Sequence, residues 1–309
     1  MILERIVGIA NKNVEAEFLA MERSLRKTGC DVPLDVIPYD DNLFSLPANA
    51  KWWDEPVKWV KKNFPNEVKH PFQYRIYLLS CTNFQVADSD VIFLRNPVEV
   101  LAPYDDLVTA CHQWSRPQLA ASEHTLDWLK KHSSTWSARV FNAGQFALGG
   151  PRLFDLKELT ELLHDPVHSH HVFDSNPPWD QGGFNYLFAL TKRKQINLTL
   201  PPFNMESTWA ADYPVDFCCE WESEERTPYL IHWAGSCLYQ KLAINSIFES
   251  FLSDSEKMQL DEKRAVAAIA AMQAYRKSLS PIYRLIHDLK QLVKQLDPRL
   301  AERFPRRSR

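Results

Sequence analysis

Residues 84–94, Phe-Gln-Val-Ala-Asp-Ser-Asp-Val-Ile-Phe-Leu, constrain this chain more than any other stretch. Most of the apolar residues are β-branched or aromatic, which is typical of a strand buried on both faces of a parallel sheet. Asp88 and Asp90 are two positions apart, and such residues point to the same side of an extended chain. Because buried like charges need a partner, the pattern predicts a cation between the two carboxylates. A loop in which both carboxylates are solvated is the alternative that these residues leave open.

The N-terminal region predicts a β-α-β unit. Residues 5–11 have the pattern of a strand, residues 15–27 that of a helix that Gly29 ends, and residues 33–38 that of a second strand. Such a unit predicts a right-handed crossover and a parallel sheet. Ligands of such sheets bind at the carboxyl ends of the strands, where the sequence places Asn11, Asp40, Asp41, Asp88 and Asp90.

The next segments predict elements that flank this sheet. Residues 42–71 are aromatic and interrupted by prolines, which indicates an insertion of short helices whose tryptophans pack in the core rather than stack on an acceptor. Residues 72–81 predict a helix with Arg75 near its start. Residues 139–150 predict a strand in which Gly144 lets a ligand or another backbone approach closely.

Polar residues in the second half of the chain have competing interpretations. We expect His168, His170 and His171 to lie in a surface loop, because no carboxylate or cysteine stands at ligand spacing beside them. Residues 179–186 predict a helix capped by Asp180 or a neighbour, a role that leaves Gln181 and Asn185 unexplained. The short strand at residues 229–235 carries His232, which is either a packed core histidine or a ligand.

Composition excludes several classes of protein. The chain has 309 residues, of which 45% are hydrophobic and 24% charged, and its net charge of −3 does not suit binding to nucleic acid. It contains no apolar run long enough for a transmembrane helix, and the charged start predicts a first strand rather than a signal peptide. The six cysteines have neither zinc spacing nor disulfide density, which favours a reducing, cytoplasmic location.

The C-terminal part differs from the rest in composition. We expect a main domain at residues 1–245 and a helical extension with a basic tail at residues 246–309. Apolar residues between 282 and 296 recur at helical spacing opposite basic ones, which predicts an amphipathic helix. The helix either packs on its own domain or contacts an anionic membrane or a protein partner.

The chain has only eight glycines and no glycine-rich phosphate-binding motif, so a bound diphosphate would need another source of positive charge. A divalent cation at Asp88 and Asp90 could provide it. Carboxylates suit Mg²⁺ or Mn²⁺, and an added histidine favours Mn²⁺.

Four segments resemble GT-A-fold glycosyltransferases, most closely the glycogenin-like and galactosyltransferase-like retaining family (glycosyltransferase family 8). They are Ala-Asp-Ser-Asp-Val-Ile at 87–92, Phe-Asn-Ala-Gly at 141–144, Asp-Gln-Gly-Gly-Phe-Asn at 180–185 and Ile-His-Trp-Ala-Gly at 231–235. All four occur in the family's order within residues 5–240. The resemblance implies an α/β fold with a mixed, mainly parallel sheet flanked by helices, and a hexosyltransferase activity that uses a nucleotide-sugar donor, with UDP favoured.

The resemblance also implies roles for single residues. Asp88, Asp90 and His232 would hold the metal, with Asp88 also near the ribose. The rest of the donor site would comprise Asn11 and Asp40 at the base, Arg75 near the diphosphate or sugar, and Asn142, Ala143 and Gly144 in the sugar pocket. Asp180 and Gln181 would lie beside the transferred sugar and the acceptor, which is a glycan, a lipid or a small molecule.

One segment departs from the family pattern. The family follows its histidine and glycine with Lys-Pro-Trp, and this chain has Ser-Cys-Leu-Tyr-Gln-Lys at 236–241, so Lys241 is the displaced candidate for the diphosphate contact. Retention of anomeric configuration is favoured over inversion. The alternatives are a non-catalytic nucleotide- or glycan-binding protein and a sugar-phosphate nucleotidylyltransferase, although residues 11–16 lack the glycine-rich basic loop of the latter.

Overall fold

The computed structural model describes residues 1–174, 179–191, 193–218, 221, 223–235 and 237–278. The chain divides into two units, Met1–Glu256 and Lys257–Arg309, and every predicted site residue belongs to the first. The predicted amphipathic helix at residues 282–296 and the basic tail lie outside the described residues. Among the residues described, we find no helix with the length and apolar character to span a bilayer.

The first unit is built on a seven-stranded sheet. In chain order its strands are β1 (Arg5–Ala10), β2 (Leu34–Pro38), β3 (Ala50–Trp52), β4 (Phe84–Val86), β6 (Leu107–Thr109), β7 (Phe146–Leu148) and β8 (Gln195–Asn197). Their spatial order is β3-β2-β1-β4-β7-β6-β8. A second sheet pairs β5 (Val91–Phe93) with β9 (Leu230–His232). This mixed, mainly parallel arrangement confirms the predicted fold class.

Helices cover the sheet and connect its strands. In the first unit they are α1 (Glu15–Lys27), α2 (Glu55–Asn63), α3 (Pro97–Leu101), α4 (Glu123–His132), α5 (Trp136–Arg139), α6 (Leu156–His164), α7 (Pro166–Phe173), α8 (Gln181–Leu190) and α9 (Asn245–Glu249). A further helix, α10 (Asp254–Ser278), begins in the first unit and continues into the second. Short 3₁₀ helices occupy Lys12–Val14, Pro71–Ser80, His112–Ser115, Pro117–Leu119, Ala210–Asp212 and Cys237–Tyr239.

The predicted β-α-β unit is confirmed, since β1 and β2 pair in parallel across α1. The tryptophans of residues 42–71 pack against the core as predicted, but this segment also contributes the edge strand β3, which the proline and aromatic pattern did not indicate. The predicted helix at residues 72–81 forms as a 3₁₀ helix, which buries Arg75.

One strand runs against the others. β7 pairs antiparallel with both β4 and β6, whereas the remaining pairings of the large sheet are parallel. The segment that precedes β7 therefore lies at the edge of the sheet where β1, β4 and β6 end. The strand predicted for residues 139–150 is wrong over most of its length, because only Phe146–Leu148 pairs and the preceding residues form a turn at this edge.

The histidine-rich segment is not a surface loop. It forms α7, and His171 is buried, with its ring stacked on His124 at 4.4 Å and on Tyr186 at 4.0 Å. Its Nδ1 lies 3.0 Å from Oγ1 of the buried Thr125. Aromatic stacking and one hydrogen bond thus satisfy this ring inside the protein, and a rule based on ligand spacing does not detect either contact.

Candidate active site

The two aspartates of the central motif lie in a turn between two sheets. The segment 84–94 is not one strand, because β4 ends at Val86 and β5 begins at Val91 in the second sheet. The turn is held by two backbone hydrogen bonds, from Val91 N to Asp88 O at 3.1 Å and from Asp88 N to Gly144 O at 2.9 Å. The prediction that both carboxylates share a side because the chain is extended is therefore wrong in its geometry, although they do converge.

The third member of the cluster, His232, belongs to the second sheet. His232 is the last residue of β9 and stands opposite Val91 of β5, next to Asp90. Its Nε2 lies 3.1 Å from Oδ1 of Asp90 and 3.7 Å from Oδ2 of Asp88. Each of the three residues offers a ligand atom within 4.8 Å of the other two. Among the described residues, no other group of His, Cys, Asp and Glu meets that criterion.

The surroundings of this cluster fit a divalent cation. Two carboxylates and an imidazole are a donor set that suits Mn²⁺ or Mg²⁺. Gly144 faces the cluster, and a Cβ at this position would lie 2.6 Å from Cε1 of His232 and closer still to Oδ2 of Asp88. The absence of a side chain at residue 144 is therefore what lets the strand of His232 and the turn of Asp88 approach each other.

The electrostatics of His232 agree with this placement. Its side chain is buried, and burial alone would lower the pKa of the imidazole. Asp90 and Asp88 outweigh burial, so the pKa of His232 is raised. A buried imidazole held between two carboxylates attracts positive charge, whether that charge is a proton or a metal ion.

Arg75 connects the cluster of Asp88, Asp90 and His232 to Asp180. This fully buried guanidinium donates from Nε to Oδ2 of Asp180 at 2.7 Å and from Nη2 to Oδ1 of Asp180 at 3.0 Å. Its Nη1 donates to Oδ1 of Asp88. Burial alone would lower the pKa of Arg75, but the two carboxylates outweigh burial and raise it. The arginine is thus permanently charged and fixes the distance between Asp88 and Asp180.

Asp180 precedes α8, but its carboxylate does not cap the helix. The bidentate pair with Arg75 uses both oxygens instead. Burial raises the pKa of Asp180 to about 6, although Arg75 opposes the rise. The prediction from helix capping was correct about where the helix starts. It was wrong about the contact of Asp180, which pairs with Arg75 instead of the helix backbone.

Gln181 and Asn185 are positioned by the same helix but differ in function. Nε2 of Gln181 donates to the carbonyls of Leu119 at 3.1 Å and Ala120 at 3.3 Å. Asn185 is buried and grips the backbone of Phe141, accepting from its N–H and donating to its C=O, both at 2.9 Å. The motif residue Asn185 therefore anchors the turn that carries Asn142, Ala143 and Gly144.

A cleft of about 520 Å³ brings most of the predicted residues together. Its lining includes ten residues that the sequence singled out for the donor site, the metal or catalysis: Asn11, Arg75, Asp88, Asp90, Asn142, Ala143, Gly144, Asp180, Gln181 and His232. Asp40 is exposed at the end of β2 and reaches this group through Asn11, whose Nδ2 donates to Oδ2 of Asp40 at 2.7 Å. Lys241 is exposed and does not line the cleft.

Other residues that line the cleft were not predicted. Glu17 of α1, Tyr39 after β2, Trp179 beside Asp180 and Tyr239 of the last 3₁₀ helix all face it. Trp179 could have been found from its position next to the motif at 180–185. Glu17 and Tyr239 have no comparable signal, because only the packing of their helices on this edge of the sheet brings them to the cleft.

No protein-family model matches the chain, and no curated protein sequence matches it. The fold does match solved structures. The apo structure of the bifunctional glycosyltransferase WbbM gives a TM-score of 0.58 at 13% identity, covering 84% of this chain and 51% of that chain. An active-site mutant of LgtC gives a TM-score of 0.50 at 14% identity, covering 84% of this chain and 95% of that chain.

The chain thus spans about half the length of WbbM and nearly the whole of LgtC, which is described as a galactosyltransferase. At these identities the likeness establishes the fold and not the activity. The fold shared with solved glycosyltransferases confirms the GT-A-type architecture that the four sequence segments predicted.

Proposed function

We propose that this protein is a metal-dependent glycosyltransferase that moves a sugar from a nucleotide-diphosphate donor, with a UDP-sugar favoured, to an acceptor hydroxyl. The observation that carries the proposal is the cluster of Asp88, Asp90 and His232 at the wall of a cleft, in a fold shared with solved glycosyltransferases. Asp88, Asp90 and His232 would hold Mn²⁺ or Mg²⁺. The bound ion would supply Lewis-acid stabilisation of the negative charge on the departing diphosphate.

The charges that line the cleft support a need for that ion. The described lining includes four carboxylates, at Glu17, Asp88, Asp90 and Asp180, and among lysines and arginines only Arg75. Arg75 is already paired with two of these carboxylates. A nucleotide diphosphate is itself an anion, so binding it in this cleft without an added cation would be strongly unfavourable.

The residues of the cleft divide the remaining tasks. Asn11 and Asp40 would bind the base, and Asn142, Ala143 and Gly144 would hold the sugar. In the transfer, the bond from the anomeric carbon to the phosphate oxygen breaks and a bond to the acceptor oxygen forms. Under retention, the favoured outcome, the proton of the acceptor hydroxyl passes to the departing diphosphate. Asp180 and Gln181 would orient the sugar and the acceptor, and Asp180 would take the proton if the enzyme inverts.

The test is thermal stability against UDP, GDP, ADP, TDP and CMP, each with and without Mn²⁺. Selective binding to the native state raises the melting temperature by mass action, so no acceptor has to be known. We expect one nucleotide to raise the melting temperature, and only when Mn²⁺ is present. In a second assay, we expect the enzyme to release that nucleotide from its sugar conjugate. A panel without any rise would contradict the donor site.

A non-catalytic nucleotide- or glycan-binding protein is the second candidate. It is favoured by Lys241, which is exposed and outside the cleft, so that no lysine faces the diphosphate among the described lining residues. Binding of a nucleotide with Mn²⁺ but neither transfer nor donor hydrolysis would support this candidate. A cytoplasmic location, and a membrane or protein contact through the basic C-terminal region, remain proposals from the sequence.

A further inference from the structure

Trp179 and Gln181 both line one part of the cleft, and the backbone of the exposed Leu119 contacts the Gln181 amide. Trp179 lines the cleft directly before Asp180 and is 51% exposed. Leu119 is 58% exposed, and its carbonyl accepts the hydrogen bond from Nε2 of Gln181. Single exposed apolar residues are ordinary on protein surfaces, but an aromatic side chain that lines a cleft beside a polar group is typical of a ligand site.

The hydrogen bonds of Gln181 determine what this rim can bind. Both contacts of its amide nitrogen go to backbone carbonyls, at Leu119 and Ala120. The amide orientation is therefore fixed, and Oε1 is left as a hydrogen-bond acceptor to which no described residue donates. A ligand that matches this rim has an apolar face for the indole and a hydroxyl group for Oε1.

We propose that Trp179, with Leu119, forms the acceptor subsite and that the acceptor is a saccharide whose pyranose ring stacks on the indole of Trp179. A pyranose has a face of C–H groups and a rim of hydroxyls, so it satisfies the aromatic surface and Oε1 of Gln181 together. An alkyl chain would cover Trp179 and Leu119 but would leave Oε1 without a donor. The inference rests on the proposed function, since the hydroxyl held here would be the one that receives the sugar.

The experiment is saturation-transfer NMR on the full chain with UDP and Mn²⁺. The probes are methyl β-galactopyranoside, methyl β-glucopyranoside, lactose and maltose, with decyl alcohol as a lipid-like probe. We expect ring protons of at least one saccharide to be saturated, and Trp179→Ala to weaken its binding by about tenfold. Trp179→Phe keeps an aromatic face and is expected to retain most of the binding.

Phe203→Ala is the matched control, because Phe203 is 41% exposed but packs edge-on against Tyr104 and does not line the cleft. Equal saccharide binding by the wild type and Trp179→Ala would overturn the inference. Saturation of decyl alcohol alone, or of no probe at all, would also overturn the inference. If UDP and Mn²⁺ stabilise the protein in that case, the proposed function still stands. If another nucleotide of the panel stabilises the protein in place of UDP, the NMR experiment is run with that nucleotide. If no nucleotide of the panel stabilises the protein with Mn²⁺, both the inference and the proposed function fail.

Discussion

The Asp90 carboxylate is 26% exposed and contacts His232, while the backbone carbonyl of Asp90 accepts a hydrogen bond from Trp233 N at 3.0 Å. The backbone contact holds the turn and the side chain serves the cluster, so the two roles can be separated by mutation. Asp90→Asn preserves the size of the side chain and the backbone bond. It also removes one of two like charges.

We expect Asp90→Asn to lower Mn²⁺-dependent transfer or donor hydrolysis by about 100-fold or more, with little change in melting temperature. Kinetics and a thermal scan on the same preparation test this. Asp41→Asn is the control, because Asp41 is exposed after β2 and does not line the cleft. Near-normal activity of Asp90→Asn with Mn²⁺ would refute the metal assignment.

Gly144 is required by contact rather than by backbone conformation. An added Cβ would press on Asp88 and His232, both held by neighbouring strands and hydrogen bonds. Gly144→Ala is therefore expected to abolish the Mn²⁺-dependent stabilisation by nucleotide. In Gly8→Ala the new Cβ would lie 3.5 Å from its nearest neighbour, an ordinary contact, so this variant should keep the stabilisation. An unchanged response of Gly144→Ala would contradict the geometry of the cluster.

At the scale of elements, the site depends on the reversed direction of β7 and on its connection to α8. Asn185 of α8 clamps Phe141, one residue before the turn of Asn142–Gly144, and Gln181 ties the start of α8 to Leu119 and Ala120. The N-terminal half of α8 thus sets the position of the turn before β7. Part of the motif at 180–185 is scaffolding, and its remaining polar residues face the cleft.

The buried ring of His171 in α7, stacked between His124 of α4 and Tyr186 of α8, should make the stability of the protein depend on pH. Burial, together with His124, His170 and other histidines, lowers the pKa of His171 to about 4. The pKa of a histidine in the unfolded chain is about 6.5. Between these values the unfolded chain binds more protons, so the free energy of unfolding should fall as pH drops from about 6.5 to about 4.

Urea unfolding across that range tests the prediction. His171→Phe keeps a ring to stack on His124 and Tyr186 but cannot titrate, so its stability should depend less on pH than that of the wild type. His164→Gln serves as the control, since His164 is exposed at the end of α6. Parallel pH profiles for the wild type and His171→Phe would show that another group is responsible.

For the whole molecule, the end of the first unit can be tested by truncation. Trp233 donates to Oδ1 of Asn245 at 2.7 Å and packs edge-on against the buried Phe248, and Arg23 pairs with Glu256. A chain that ends at residue 256 keeps these contacts and should retain both its fold and its nucleotide response. A chain that ends at residue 245, the domain boundary predicted from the sequence, loses Phe248 and should lose at least about 3 kcal/mol of stability.

Denaturant unfolding and the nucleotide thermal shift of the two truncated chains distinguish these boundaries. Equal stability of the two chains would show that α9 contributes nothing to the first unit. Loss of the nucleotide response in the chain of residues 1–256 would show that the second unit takes part in binding.

The sequence by itself determined the parallel β-α-β start, the class of fold and most of the residues that meet at the cleft. Local rules suffice for the β-α-β start and for the polar residues that follow its strands, because hydrophobic periodicity, glycine at a helix end and polar residues after strands depend on short-range physics. The resemblance of the four segments to GT-A-fold glycosyltransferases supplied the class of fold and the other cleft residues, including His232 as a partner of Asp88 and Asp90.

Only the tertiary structure decided how those residues meet. The turn between β4 and β5, the reversal of β7, the double pairing of Arg75 and the burial of His171 all depend on contacts between residues distant in the chain. Such contacts are selected by packing and by the need to satisfy buried polar groups, and neither is encoded in a local pattern. For the same reason the sequence identified Asp180 but not its partner, and it singled out Lys241 without indicating that this lysine lies outside the cleft.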